Sequence, residues 1–234
     1  MIYARGPWAT AGVAEWDGET LRGGEGGGRI GFHMREFEVL KQKLPGVKRD
    51  VPLKEHTTFR IGGPAKYFCV AKKSNDIAKA VIAARRLKIP FFILGTGSNV
   101  LAPDNGFPGL VIKIQNTAYK IPLDSARGKQ TTRVWAEAGV SMSTLVRETG
   151  KRRLAGLEWA GGLPGTVGGA VRGNAGAFGG EIKDAITQVE ALDGKGKRKT
   201  FSLKECQFGY RSSIFKEKNM VVLGATFQLR KGAR

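Results

Sequence analysis

The chain has 234 residues, 41 % of them hydrophobic, and a net charge of +19. That length suits one large domain or two small ones, the apolar fraction excludes a wholly disordered chain, and no apolar run reaches the roughly 18 residues of a membrane span. The basic balance favours anionic partners, but Lys and Arg are scattered without an aromatic-spaced RNA motif, so nucleic acid is not an expected partner. The N-terminus has no basic region followed by an apolar stretch, which excludes a secretory signal and points to the cytoplasm.

Residues 1–33 hold nine glycines and no helical or strand period. They read as a disordered leader, with Met34 a candidate true start and a flexible targeting arm as the alternative. A helix begins at Met34, with Phe37, Leu40 and Leu44 on one face. Tyr67 to Val70 reads as a strand. Ser74 is an expected N-cap for a helix running to Lys88, with Ile77, Val81 and Ala84 on its apolar face, and Pro90 stops it. Phe91 to Leu94 reads as a short buried strand and Leu110 to Ile114 as another. Residues 123–130 read as an exposed loop, Arg133 to Ala138 as an alternating strand, and Ser141 as the cap of a helix to about Gly150. Ile186 to Leu192, a turn at Asp193 to Gly196, and Arg198 to Phe201 form a hairpin pattern. Met220 to Leu229 is the last strand. The expected class is α+β, with subdomains over residues 34–115 and 116–234.

Two cysteines, Cys69 and Cys206, and two histidines, His33 and His56, fit neither a disulfide framework nor a zinc site. No metal is expected. Chemistry is concentrated instead in three motifs. Gly95, Thr96, Gly97, Ser98 and Asn99 follow a strand; glycine there allows positive φ and lets a ligand approach without a Cβ in the way, and successive amides can bind an anion. The dinucleotide fingerprint would need a glycine at Val100 and then a helix, so that reading is rejected. Nine glycines lie between Gly161 and Gly180. Leu163, Val167, Val171 and Phe178 are spaced among them as in a packed segment rather than a linker. Two such turns suit an extended ligand with a diphosphate in its middle; a glycine-rich packing corner is the alternative. The third motif is Phe208 to Ser213, where Arg211 offers a planar fork for carboxylate or phosphate beside Tyr210.

Four segments occur in order: KEHTTFRIGGPAKYF (54–68), PFFILGTGSNVL (90–101), GLEWAGGLPGTVGGAVRGNAGAFGGEI (156–182) and CQFGYRSSIFK (206–216). Together they resemble the UDP-N-acetylenolpyruvoylglucosamine reductases, over roughly residues 34–230. The resemblance implies an FAD-binding fold of the vanillyl-alcohol-oxidase type, made of two α+β subdomains with the flavin between them. It implies noncovalent FAD, with its pyrophosphate held by Gly95–Asn99 and by Gly162, Pro164, Gly165, Gly168, Gly169, Asn174 and Gly176. It further implies NADPH as co-substrate and UDP-N-acetylglucosamine enolpyruvate as acceptor. Tyr210 would bind substrate, and Arg211 would face the enolpyruvyl carboxylate and stabilise the enolate-like intermediate. Gly173 and Phe178 depart from the family, where a bulkier residue and Tyr are usual. The family's C-terminal substrate domain, with its proton-donor serine and a glutamate, has no counterpart here. The expectation is therefore a reductase incomplete as this chain; the alternatives are a non-catalytic FAD-binding remnant, half of a split enzyme, or an oxidase with covalent flavin. Oligomeric state is not indicated.

Overall fold

The computed structural model describes residues 2–3, 36–122 and 131–232. It divides into two compact units: Met1–Ala71 with Asn75–Lys113, and Lys72–Ser74 with Ile114–Arg234. The leader expected over residues 1–33, the start at Met34 and the loop at 123–130 lie outside the described residues, except for a two-residue strand β1 (Ile2–Tyr3) paired in parallel with Val100–Leu101.

Unit 1 is built on a four-stranded sheet of order β2-β3-β6-β4. Its strands are β2 (Lys48–Pro52), β3 (Pro64–Ala71), β4 (Phe91–Leu94) and β6 (Phe107–Ile114). β2 and β3 are antiparallel, whereas β4 and β6 run parallel. A parallel pair cannot be joined by a tight hairpin, so residues 95–106 form a crossover that contains the expected glycine turn and β5 (Val100–Leu101). A core cluster at this sheet gathers Leu53, Ala65, Phe68, Leu94, Ala102 and Val111. α2 (Ser74–Arg86) buries Ile77, Ala80, Val81, Ala83 and Ala84, a stripe with helical spacing. The first helix, α1 (residues 36–43), buries Leu40, and Leu44 just beyond it is also buried. Its Glu36 carboxylate accepts from the fully buried Tyr67 hydroxyl at 2.9 Å and from Lys66 Nζ at 2.9 Å. Burial and that carboxylate push the Tyr67 phenol well above its ordinary range.

Two boundaries differ from the sequence reading. α2 starts at Ser74 itself rather than after it, and the Ser74 hydroxyl donates to Glu137 Oε1 at 3.0 Å. The helix also ends at Arg86, because Lys88 adopts φ +55°, which no α-helix accommodates.

Unit 2 is an antiparallel sheet of order β13-β12-β14-β8-β7, with β9 also on β14. β14 (Val221–Lys231) is its axis, flanked by β12 (Ile186–Leu192) and β8 (Thr131–Glu137). β13 (Arg198–Ser202) completes the expected hairpin, with Val189 opposite Phe201. β7 (Tyr119–Lys120) and β9 (Leu154–Ala155) are short edge pieces. α3 (Met142–Lys151) is capped as expected: Ser141 Oγ accepts from the Thr144 amide at 3.1 Å. α4 (Val167–Arg172) packs on β14 and β8, and β10 (Gly176–Ala177) pairs with β11 (Gly180–Glu181). Last comes α5 (Ile214–Glu217), whose fully buried Phe215 meets Phe201 edge-on at 5.3 Å. Among the described residues no helix is long and apolar enough to cross a membrane.

Three outcomes follow for stability and thiol chemistry. Phe227→Ala, in the middle of β14 and fully buried, should cost about 3–5 kcal/mol in denaturant unfolding. Ser141→Ala should cost only about 1 kcal/mol through the lost cap. Cys69 and Cys206 are free and buried, and burial pushes each thiol up to about 12. Neither should react with a thiol reagent at pH 8 until denaturant is added, since the thiolate is the reactive form.

Candidate functional site

In unit 1, the strand β4 delivers the chain into Gly95–Asn99. Gly97 is buried at φ +75°. A Cβ on it would collide with the carbonyl oxygen of His56 and come within 2.9 Å of Thr57 Cα. The Gly97 carbonyl accepts from the Thr58 amide at 3.2 Å. The sequence reading gave this glycine the task of admitting a ligand; the structure corrects it, because what fills the space is the protein's own backbone. The opening to a ligand lies elsewhere in the turn. The amides of Thr96, Gly97, Ser98 and Asn99 donate to no protein group among the described residues. Unpaired backbone donors in a row are rare in folded proteins, and such a row forms an anion-binding nest. Thr96 and Asn99 are exposed and Ser98 is half-buried, so an incoming anion reaches the row from solvent.

In unit 2, the second glycine segment is a turn leading into a single short helix. Thr166 caps α4 by accepting from the Gly169 amide at 3.3 Å. The first two helical amides are already used: Val167 donates to Val140 O and Gly168 to Ala138 O, each at 2.8 Å. Gly168 is a packing glycine, since its Cβ would stand 2.8 Å from that of Ala138. Gly162 and Gly169 differ. Both are exposed; nothing lies within 4 Å of a Cβ on Gly162, and a Cβ on Gly169 would meet only Thr166 Oγ1 at 3.6 Å. The amides of Gly162, Gly165 and Thr166 make no hydrogen bond among the described residues. This second row of free donors lies around the exposed Pro164, which has no amide hydrogen to contribute.

Asn174 was expected to touch the cofactor, but its side chain has other work. It is 1 % exposed, donates to Glu181 Oε2 and to Gly209 O, both at 2.9 Å, and accepts from the Lys183 amide at 3.1 Å. All its bonding groups are engaged, so it clips the end of α4 to β11 and to the loop that carries Arg211. Gly176 is likewise structural, because a Cβ there would lie 2.8 Å from the Gly180 carbonyl.

Arg211 adopts φ +52° in a reverse turn closed by Gly209 and Ser212, whose amides and carbonyls bond each other at 3.1 and 3.2 Å. A left-handed non-glycine residue is held against its preference; here Lys216 Nζ donates to the Arg211 carbonyl at 3.0 Å. The guanidinium donates to Gly176 O at 3.0 Å, stands 5.8 Å from the Tyr210 ring centre, and makes no carboxylate ion pair among the described residues. Its charge nonetheless helps hold the Glu181 carboxyl below the usual range, after the larger contributions of Lys183 and Asn174. Tyr210 and Phe178 are 86 % and 93 % exposed. The sequence reading counted Phe178 among the packed apolar residues of the glycine segment, and its exposure corrects that. It caps the β10–β11 turn at φ +48°, an energetically poor place for an aromatic residue.

Each unit, taken by itself, thus presents free amides that can bind an anion, and in unit 2 an exposed arginine with no ion pair among the described residues can take a carboxylate. Among the described residues no cluster of His, Cys, Asp and Glu could hold a metal ion.

Comparison with known proteins agrees with this geometry. The chain belongs to the FAD binding domain family, whose model matches residues 65–202. Within that class it is 38 % identical over 201 residues to UDP-N-acetylenolpyruvoylglucosamine reductase of Caldanaerobacter subterraneus subsp. tengcongensis, covering 83 % of this chain and 64 % of the relative. It is 40 % identical over 198 residues to that of Agathobacter rectalis, covering 81 % and 63 %. The crystal structure of the reductase from Thermus caldophilus superposes with TM-score 0.66 at 32 % identity, over 80 % of this chain and 63 % of that one. A flavoprotein of the VAO type from Myceliophthora thermophila shares the fold at TM-score 0.62 and 15 % identity, over 84 % and 47 %. The chain thus spans a little under two thirds of the length of the curated relatives it matches.

The two kinds of glycine should separate by mutation. Gly97→Ala should destabilise the protein by about 1–3 kcal/mol through overpacking, with or without flavin. Gly169→Ala, a helical position with room for a methyl, should leave denaturant stability intact or raised by roughly 0.5–1 kcal/mol.

Proposed function

We propose that the chain is the flavin-binding part of a UDP-N-acetylenolpyruvoylglucosamine reductase. It holds FAD noncovalently, takes reducing equivalents from NADPH, and serves the reduction of UDP-N-acetylglucosamine enolpyruvate to UDP-N-acetylmuramate in peptidoglycan precursor synthesis. NADPH and nucleotide-activated sugars are cytoplasmic metabolites, so the reaction read here is a cytoplasmic one. The observation that carries the reading is Arg211: an exposed, unneutralised guanidinium on a Tyr-Arg-x-Ser turn, locked by Gly176 and Lys216, in a chain of this family.

FAD, when bound, supplies hydride transfer to the enolpyruvyl double bond. The free amides at Thr96–Asn99 are the donors unit 1 offers to its diphosphate, and those at Gly162, Gly165 and Thr166 are anion donors of unit 2. Arg211 meets the enolpyruvyl carboxylate with its N–H fork. Negative charge grows toward that carboxylate as one alkene carbon accepts hydride, and a cation already in place stabilises it without reorganising. A proton on the neighbouring carbon completes the addition; no residue of this chain is assigned to deliver it. Tyr210, beside Arg211, offers an aromatic face to substrate. Noncovalent attachment is favoured because both cysteines are buried and neither belongs to a glycine segment.

The purified protein should be yellow, and acid denaturation should release all its flavin to the supernatant. A colourless protein that also fails to take up added FAD would end this reading. Arg211→Ala should keep full FAD occupancy. It should slow reoxidation of chemically reduced protein by the enolpyruvyl substrate about 10²- to 10³-fold, as read by anaerobic stopped flow in the flavin band.

A further inference from the structure

Strand β6 reads Leu110, Val111, Ile112, Lys113, Ile114, and every residue of that run except the lysine is buried. A lysine in an apolar strand loses hydration, and burial holds the Lys113 ammonium below its ordinary pKa. A charge in that position is ordinarily offset by a carboxylate. Lys113 has none: among the described residues its one polar contact is His56 Nδ1 at 3.4 Å. An imidazole nitrogen that takes a lysine proton in a hydrogen bond must itself be neutral. Burial, followed by the charge of Lys113, lowers the His56 pKa, while Glu55 opposes and Lys48 adds to the effect. The His56 ring is stacked on Phe68 at 4.5 Å and 16°, which fixes its plane.

The location gives this cation its meaning. Lys113 is the register partner of Leu94, the residue immediately before Gly95, and neighbouring strands lie roughly 4.8 Å apart. Val111 and Lys113 share a sheet face because strand residues alternate, and Val111 belongs to the cluster that contains Leu94. His56 touches both parties: its ring meets the Lys113 ammonium, and its carbonyl is the group against which Gly97 packs. An uncompensated cation and four free amides thus flank one residue, at the carboxyl ends of two parallel strands, where open α/β sheets place their ligands.

We propose that Lys113, aligned by His56, is the counter-cation for the diphosphate of FAD lying on the Thr96–Asn99 amides. The proposal rests on the flavoprotein reading above. Amide dipoles bind an anion through partial charges, whereas Lys113 contributes a full charge in a half-buried setting where salt screens it poorly. NADPH carries the same diphosphate chemistry, so the test separates the two dinucleotides.

Flavin would be removed and the apoprotein titrated by fluorescence quenching with FAD and with riboflavin, which lacks phosphate. Lys113→Met should raise the FAD dissociation constant about 10- to 100-fold, the range of a charge-assisted contact. It should weaken FAD binding at low and high salt alike and leave riboflavin affinity unchanged. Lys113→Arg should stay within a few-fold of the parent. The melting temperature of the Lys113→Met apoprotein should be equal or higher, because a desolvated charge has been removed; that separates lost binding from lost folding. Equal FAD affinity in the Lys113→Met and parent proteins would overturn the proposal, as would a matching loss for riboflavin. A weakened NADPH response in the FAD-loaded variant with FAD affinity intact would also overturn it. A parent apoprotein that binds no flavin at all would overturn the flavoprotein reading itself, and this proposal with it.

Discussion

The close approach of Gly97 to the His56–Thr57 backbone is the constraint on which unit 1 depends. Two loops, residues 53–63 and 95–106, are interlocked there, and glycines are the teeth. Gly97 packs on His56, and Gly106 packs on Pro64. Gly63 donates to Pro103 O at 2.9 Å, and Leu53 donates back to Gly63 O at 3.0 Å. No Cβ fits at Gly62, Gly63, Gly97 or Gly106 without moving backbone. Because each loop is held by the other, the Thr96–Asn99 amides do not have to bond within the turn to keep its shape. They stay unbonded among the described residues, and unit 1 gains a rigid set of donors from tertiary packing rather than from a helix terminus.

Unit 2 reaches a similar end by another route. Its glycine segment begins a helix whose first amides are consumed by the Ala138–Val140 corner, and the free donors lie at the cap and before it. Rigidity there comes from side chains: Thr166 fastens the start of α4, Asn174 its end, and the buried Ser213 hydroxyl donates to Arg172 O at 2.7 Å. The Arg211 loop is tied from both sides, by Asn174 through Gly209 and by Ser213 through Arg172. That accounts for a left-handed arginine that remains presented to solvent.

Much of this was legible in the sequence. Apolar runs located β4, β6 and β14, helical periods located α2 and α3, and alternation with a turn located the β12–β13 hairpin. The Ser141 cap was legible because serine before an apolar period has one common use. Ser74 was misread by the same rule: its hydroxyl is drawn to Glu137, a partner 63 residues away that no local pattern reveals. The motifs identified which glycines matter but not why. Composition cannot distinguish Gly97 and Gly168, which make room for His56 and Ala138, from Gly162 and Gly169, which have room for a Cβ. Asn174 stood out as a conspicuous amide beside Gly173, but no local pattern reveals the three partners its side chain holds within the protein. Lys113 left a readable trace, a lone charge in an apolar strand, but its meaning needed His56, 57 residues away.

The Asn174 clip carries a liability in the chemical ageing of the protein. Asparagine side chains hydrolyse slowly to aspartate, a change of one group that preserves shape and tolerates the same φ of +41°. Here the amide nitrogen is the donor in two of three bonds, one of them to a carboxylate at 2.9 Å. After hydrolysis two carboxylates would face each other across that distance, and they would repel unless they shared a proton or the Lys183 ammonium, 2.7 Å from Glu181, offset both. The Gly209 carbonyl would lose its donor as well. A preparation could thus keep its fold and most of its mass while the loop bearing Arg211 drifted free, and old and fresh material of identical sequence would differ in substrate handling before they differed in solubility.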